Sequence, residues 1–172
     1  MADKTHLDEV VFYPNKVIDL LSKNQTFVSL LTGYPNADLE DPDVENEWRA
    51  CTNDYNYVEG IVQDTRSFLC VDTEVRVDSS EIKTVIVTLL VGVHRQNMSL
   101  KNTEFTGMLG NRRDNMVREI DYTLRNSRDF GIGPLQLEGW IRPYAISSRD
   151  YVCKLMEYQV SNFAKSRNID RV

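Results

Sequence analysis

The sequence predicts an α+β domain: a mainly antiparallel β-sheet made of two hairpins, flanked by an N-terminal kinked helix and one long helix. Three observations carry this. Residues 66–77 alternate, with Leu69, Val71, Thr73, Val75 and Val77 facing one way and Asp72, Glu74 and Arg76 the other, the period of a half-buried strand. Residues 81–94 are β-branched and apolar on both faces from Val85 onward, which predicts a central strand covered on both sides. Within 108–127, Leu109, Met116, Val117, Ile120 and Leu124 supply an apolar stripe at helical spacing.

The elements follow in chain order. Residues 1–13 read as an arm, polar first and then Val10-Val11-Phe12-Tyr13. The four apolar residues either lie on a neighbouring molecule or tether the arm to its own domain. Pro14 predicts a helix start, because the missing N–H costs nothing in a first turn. Val17, Leu20 and Leu21 continue that helix to a break at Asn24, which suits an N-cap for a second piece holding Phe27, Val28, Leu30 and Leu31. Gly33 ends it. The expectation is two short helices or one kinked helix.

Residues 36–54 read as an acidic loop, with Asp38, Glu40, Asp41, Asp43, Glu45 and Glu47 around Pro42. Such a run is normally solvated. Its acids do not follow the D-x-D-x-D-G spacing that folds a loop around calcium. A partner-facing acidic flap is a further reading. The connector Asp78-Ser79-Ser80 is short enough to make 66–77 and 81–94 an antiparallel hairpin.

In the long helix, Asp114–Arg118 and Asp121–Arg125 are i,i+4 pairs of favourable orientation, and Arg112, Arg113 and Glu119 fill out its polar positions. Phe130-Gly131-Ile132-Gly133-Pro134 predicts a sharp helix end, since glycine takes positive φ and proline forbids continuation. Leu135, Leu137, Gly139 and Ile141 begin a strand with Pro143 near its end, and 151–163 form the last strand. The organisation is an arm (1–13), one domain (14–165) with the acidic loop, and a C-terminal tail (166–172). No repeat or low-complexity segment interrupts it.

The length of 172 residues suits one domain. A fold of that size buries roughly two thirds of its potential surface. The net charge of −6 argues against bulk binding to a phosphate backbone or an anionic membrane surface. The three cysteines, Cys51, Cys70 and Cys153, form no CxxC pair and read as small buried hydrophobes in a reducing compartment. No basic segment followed by an apolar stretch opens the chain, so no signal peptide is expected. The longest apolar run, Val85 to Val93, is far short of the ~20 residues that a membrane helix needs. A soluble protein made in the cytoplasm is expected.

The search for a catalytic site finds little. The two histidines are His6, in the arm, and His94, at a strand end beside Arg95. HExxH, GxSxG and GxxxxGK[ST] motifs are absent. Gly131-x-Gly133 follows a helix rather than opening one, so it does not form a dinucleotide loop. The sequons at Asn24 and Asn97 are read as chance. One enzymatic alternative remains: Glu81-x-Lys83 with Asp72 on the preceding strand has the form of a Mg²⁺-dependent PD-(D/E)xK nuclease, in which such groups hold the metal and position water. The preferred reading has no catalytic residue, no cofactor and no metal.

Three segments carry a resemblance. They are Arg113-Asp114-Asn115-Met116-Val117-Arg118-Glu119-Ile120-Asp121 leading into Leu124-Arg125-Asn126, Phe130-Gly131-Ile132-Gly133-Pro134-Leu135-Gln136-Leu137, and Leu155-Met156-Glu157-Tyr158-Gln159-Val160-Ser161-Asn162-Phe163. Together with the opening helices and hairpin they resemble small neck proteins of tailed bacteriophages, of the tail-terminator or head–tail connector kind. The resemblance spans most of residues 14–163, and the acidic loop lies outside its pattern. It implies a structural virion protein of the neck. Such a protein forms a homo-oligomeric ring, commonly a hexamer, that ends the tail tube and joins it to the head connector. The implied partners are other copies of the chain, the tail tube protein and a head–tail connector or portal-associated protein. Genome DNA would pass through without specific binding, because an acidic lumen repels its backbone. Assembly in the host cytoplasm is implied, with no role for a membrane. A head-completion connector that contacts the portal is the alternative within this class.

Overall fold

A computed structural model of the chain describes residues 8–55, 65–77, 82–100, 105, 108–125, 127–137 and 141–163. The architecture is α+β, as the patterning predicts. Three helices come first: α1 (Asp8–Ser22), α2 (Gln25–Thr32) and α3 (Pro42–Cys51). Strands β1 (Thr52–Asn53), β2 (Ser67–Val77) and β3 (Ile82–His94) follow, then a 3-10 turn at Arg95–Asn97 and α4 (Arg112–Leu124). The chain closes with β4 (Ile132–Leu137), β5 (Arg142–Tyr144) and β6 (Tyr151–Phe163).

The sheet runs β1-β2-β3-β6-β4, with β5 also on β6. All pairings are antiparallel except β1 on β2. Strand β3 is central, flanked along its length by β2 (Val71 opposite Leu89) and β6 (Leu89 opposite Met156). The connector Asp78-Ser79-Ser80 lies outside the described residues, but the β2–β3 register is that of the expected hairpin.

Because side chains alternate along a strand, each row has one destination. Leu69 and Val71 of β2, Val85, Val87, Leu89, Val91 and Val93 of β3, and Met156, Tyr158 and Val160 of β6 pack beneath the helices. The opposite face carries a smaller cluster of Phe68, Cys70, Leu90, Tyr151, Cys153 and Leu155, with Ile146 against it. Beyond that cluster, Asp72 and Glu74 of β2 are exposed.

The helix breaks are local chemistry. Asn24 Oδ1 accepts from the Phe27 N–H (3.0 Å), the N-cap expected of it. Its amide also donates to Thr123 Oγ1 (2.9 Å), fastening the α1–α2 break to α4. Gly33 ends α2 at φ 85, the left-handed conformation that only glycine adopts without cost.

Several expectations are corrected. Helix α1 starts at Asp8, so residues 8–13 are helix rather than arm, and Pro14 sits inside the helix. An interior proline costs ~3 kcal/mol by removing a bond and crowding the carbonyl four residues back. Tyr13 offsets this: it is buried, edge-on to Phe130 at 5.2 Å, and its hydroxyl donates to the Phe130 carbonyl. Residues 1–7, with His6, lie outside the described residues, as does the tail 166–172.

The acidic loop is helical over Pro42–Cys51. Asp41 caps it, accepting from the Asp43 N–H (2.9 Å), and Pro42 takes a first-turn position. Val44, Trp48 and Cys51, at helical spacing, are buried, with Trp48 edge-on to Phe27. The acids Asp43 and Glu45, part of the run that suggested a loop, sit in the first turn, where the helix dipole favours them.

Helix α4 is shorter than 108–127. Gly110 takes φ 89 and the Asn111 side chain caps the helix, so it begins at Arg112. Leu109 therefore falls before the helix and is exposed, while Arg112 is buried. Met116, Val117, Ile120 and Leu124 do form the core stripe. The helix stops at Leu124, before the glycines; Gly131, at φ 152, instead leads into β4. The long strand read from Leu135 divides into β4 and β5, with Gly139 outside the described residues.

The helical ion pairs are also only half as predicted. Asp121 and Arg125 pair at 3.5 Å. Asp114 instead pairs with Lys154 of β6 (2.8 Å) and with Arg113 (3.0 Å), and Arg118 pairs with Glu119.

Candidate functional site

The nuclease constellation does not converge. Asp72 stands opposite Thr88, whereas Lys83 stands opposite Val77. Thr88 and Lys83 are roughly 17 Å apart along β3 at ~3.4 Å per residue. An odd residue separation also sends the two side chains to opposite faces. Asp72 is exposed on the open face, and Lys83 is buried in the row under the helices. Glu81 lies outside the described residues. Among the described residues no group of three His, Cys, Asp or Glu is placed to hold a metal ion.

Other reactive types have structural surroundings. His94 Nδ1 accepts from the Gln96 N–H (3.3 Å), and its ring meets Tyr151 edge-on at 5.3 Å, so it caps the end of β3. The cysteines are free and buried. Burial pushes the Cys153 thiol up to about 11, and burial together with the Glu47 carboxylate pushes Cys51 well up. Thiols held protonated are poor nucleophiles. Tyr158 is likewise pushed up by burial and by Asp121, to which its hydroxyl donates (3.1 Å). That bond ties β6 to α4, as the Asp114–Lys154 pair does.

What the domain presents is surface. Val11 is 72% and Phe12 56% exposed on the outer side of α1. Their neighbour Tyr13 is locked inward, and Lys16 donates to the Asp129 carbonyl (2.6 Å) while lying over the rings of Phe12 and Phe130. The apolar stretch 10–13 thus divides its work: Tyr13 tethers the segment to its own domain, and Val11 and Phe12 point outward. Two further apolar side chains stand out at opposite ends of α4, Leu109 at 88% and Tyr122 at 81% exposed. Tyr122 borders an open groove with Leu20, Lys23, Thr26 and Glu119, where α1, α2 and α4 meet. Tyr122 does not fit the core stripe in the sequence, and this is the signal that could have marked it.

The third feature is a buried cation. Arg112, first residue of α4, is 8% exposed. Its Nη1 donates to the Leu30 carbonyl (3.1 Å) at the end of α2, and the guanidinium stacks over Phe105 at 5.3 Å. Nε is buried with no hydrogen-bond partner. Burial lowers the pKa of this guanidinium.

No described helix is long and apolar enough to cross a membrane. A search of curated proteins finds no match. The YomW family matches residues 24–160, from the cap of α2 to near the end of β6. That match covers most of the chain, which therefore belongs to the YomW family and is a phage-associated protein.

Proposed function

We propose that this chain is a structural subunit of the phage neck, forming a ring, by expectation a hexamer, that ends the tail tube and joins it to the head connector. One observation supports this best: apolar side chains are exposed at separate places on a well-packed domain, Val11 and Phe12 on α1 and Leu109 and Tyr122 at the two ends of α4. A closed ring needs two different faces on each subunit that complement one another. Exposed aromatic and aliphatic anchors of this kind are what interface cores are built from.

The net charge of −6 agrees with a conduit for DNA. Asp72 and Glu157 flank Thr88 in one register row of the open sheet face, Glu74 and Arg76 follow on the same face, and Arg142 pairs with Glu157 at 3.5 Å. In the proposed ring this face lines the lumen and repels the genome backbone. The partners are further copies of the chain, the tail tube protein and a connector or portal-associated protein, and the location is the virion. The chemistry of the site is assembly rather than catalysis.

The test is the mass of the purified chain by light scattering, alone and with isolated tail tubes. The proposal expects a closed multimer, or ring formation on the tube end. A chain that stays monomeric at all concentrations and binds no tube contradicts it. Incubation with plasmid and Mg²⁺ addresses the nuclease alternative, which requires cleavage that is lost in Lys83→Ala.

A further inference from the structure

The helical layer of the domain is polarised in charge. Residues 38–49 hold six acids against one arginine, a net of −5 on a chain whose total is −6. Residues 112–128 hold five arginines against three acids, a net of +2. The two stretches lie on opposite sides of α2, which packs on both α3 and α4. Helix α3 rests on β1 and β2, and α4 on β3 and β6, further across the sheet. One flank of the molecule is therefore acidic and the other basic.

The basic flank is built outward. Arg118, Tyr122 and Arg125, four and three residues apart, share one face of α4. All three are exposed, and Arg128 is exposed beyond the helix end. The acids beside them are held by the fold: Glu119 Oε2 accepts from the Asn24 amide (3.3 Å) and Asp121 Oδ1 from the Tyr158 hydroxyl (3.1 Å). Arg118 meets Glu119 at 3.1 Å and Arg125 meets Asp121 at 3.5 Å, but the carboxylates are 15% and 23% exposed against 60% and 67% for the guanidiniums. Pairs so open to water hold their arginines weakly. A tyrosine between two arginines has the composition of an interface hot spot.

On the acidic flank, Glu45 pairs with Arg49 (2.6 Å) and Glu47 with Arg66 (3.2 Å), while Asp38, Glu40, Asp41 and Asp43 stand exposed. Within one molecule α2 keeps the two flanks apart. Between copies they are complementary head to tail, the heterologous contact that closes into a ring. Like flanks repel, which disfavours head-to-head pairing. DNA is the other polyanion such a ridge could hold, and the net charge of −6 disfavours it.

We propose that the ridge Arg118–Tyr122–Arg125 docks on the acidic α3 flank of a second copy of this chain. This rests on the assembly reading above and names the two faces that meet in it.

The experiment reverses each flank in the full chain, as Arg118→Glu/Arg125→Glu and as Glu40→Lys/Asp43→Lys. All four positions are exposed, and melting curves check that both variants fold. Each variant alone should self-associate about tenfold more weakly or worse, because its two flanks now carry the same sign. An equimolar mixture should assemble again, since each variant's ridge is then opposite in sign to the other's flank. Should a reversed variant fail to fold, the neutral pair Arg118→Gln/Arg125→Gln and Glu40→Gln/Asp43→Asn takes its place, each expected to weaken assembly and to lose its salt dependence. A variant that assembles as tightly as the wild type, or a mixture of folded reversed variants no better than either alone, overturns the contact and leaves the assembly reading standing. So does a ridge variant that assembles normally but loses an affinity for duplex DNA that the wild type shows. A wild-type chain that never self-associates overturns both.

Discussion

The ring of Phe68 lies directly over Gly92, its register partner on β3. A Cβ built on Gly92 would come within 3.0 Å of three atoms of that ring. Phe68 is fully buried, and Tyr151 stands against it at 5.5 Å, so the ring has nowhere to retreat. The glycine gives up β-propensity so that an aromatic side chain can cover the backbone of the central strand. We predict that Gly92→Ala destabilises the domain by about 1–3 kcal/mol or more, the cost of overpacking a filled core. Denaturant unfolding measures this, and unchanged stability would show that the ring does not occupy that space.

Tyr13 and Phe12 are adjacent and opposite in role. Tyr13→Phe removes the donor to the Phe130 carbonyl and leaves that buried acceptor unpaired, so it should cost about 1–3 kcal/mol. Phe12→Ser, on the exposed side, should change the stability of the isolated chain by no more than about 0.5 kcal/mol. Thermal melts of both variants decide it; equal losses would mean that Phe12 is also packed.

Asp114 gives the acid limb of stability a handle. Burial alone would raise its carboxyl, but hydrogen bonds from Lys154, Asn111 and Arg113, with the Arg113 charge, outweigh this and hold it below the usual carboxylate range. A group with a depressed folded pKa stabilises the fold above its unfolded value and loses that contribution as pH falls through the folded value. Asp114→Asn should therefore lower the melting temperature at neutral pH and flatten its fall in acid. Parallel pH curves for variant and wild type would contradict this.

Leu109 and Tyr122 are the sites where folding and assembly separate. Neither has much to lose on unfolding, so Leu109→Ser and Tyr122→Ser should leave the melting temperature within a few degrees of the wild type. In the proposed ring they bury apolar surface, and their loss should reduce the multimer fraction in light scattering. Variants that assemble as well as the wild type would remove these two side chains from the interface.

Much of the fold was legible because its signals are periodic. The alternation in β2, the apolar run of β3 and the stripe Met116-Val117-Ile120-Leu124 each specify an element and its buried side. The misreadings fell where a local signal had two meanings. Pro14 marks a helix start unless a residue before it, here Tyr13, is bound strongly enough to hold the helix across it. The acids of 38–47 hid α3, although Asp41-Pro42 is a cap followed by a first-turn proline, and Val44, Trp48 and Cys51 keep helical spacing. The surface features were harder. Arg112 reads as one more solvated helix residue, and only the packing of α4 on the end of α2 makes it buried. Exposure of Leu109 depends on where α4 begins, which the backbone at Gly110 decides.

A density map of the phage particle resolving the neck would show whether this chain closes the tail. We predict a closed ring of this chain at the head-proximal end of the tail tube, with the Asp72, Glu74 and Glu157 face toward the lumen. A neck built entirely of other chains, or a lumen in this ring lined mainly by lysine and arginine, would contradict it.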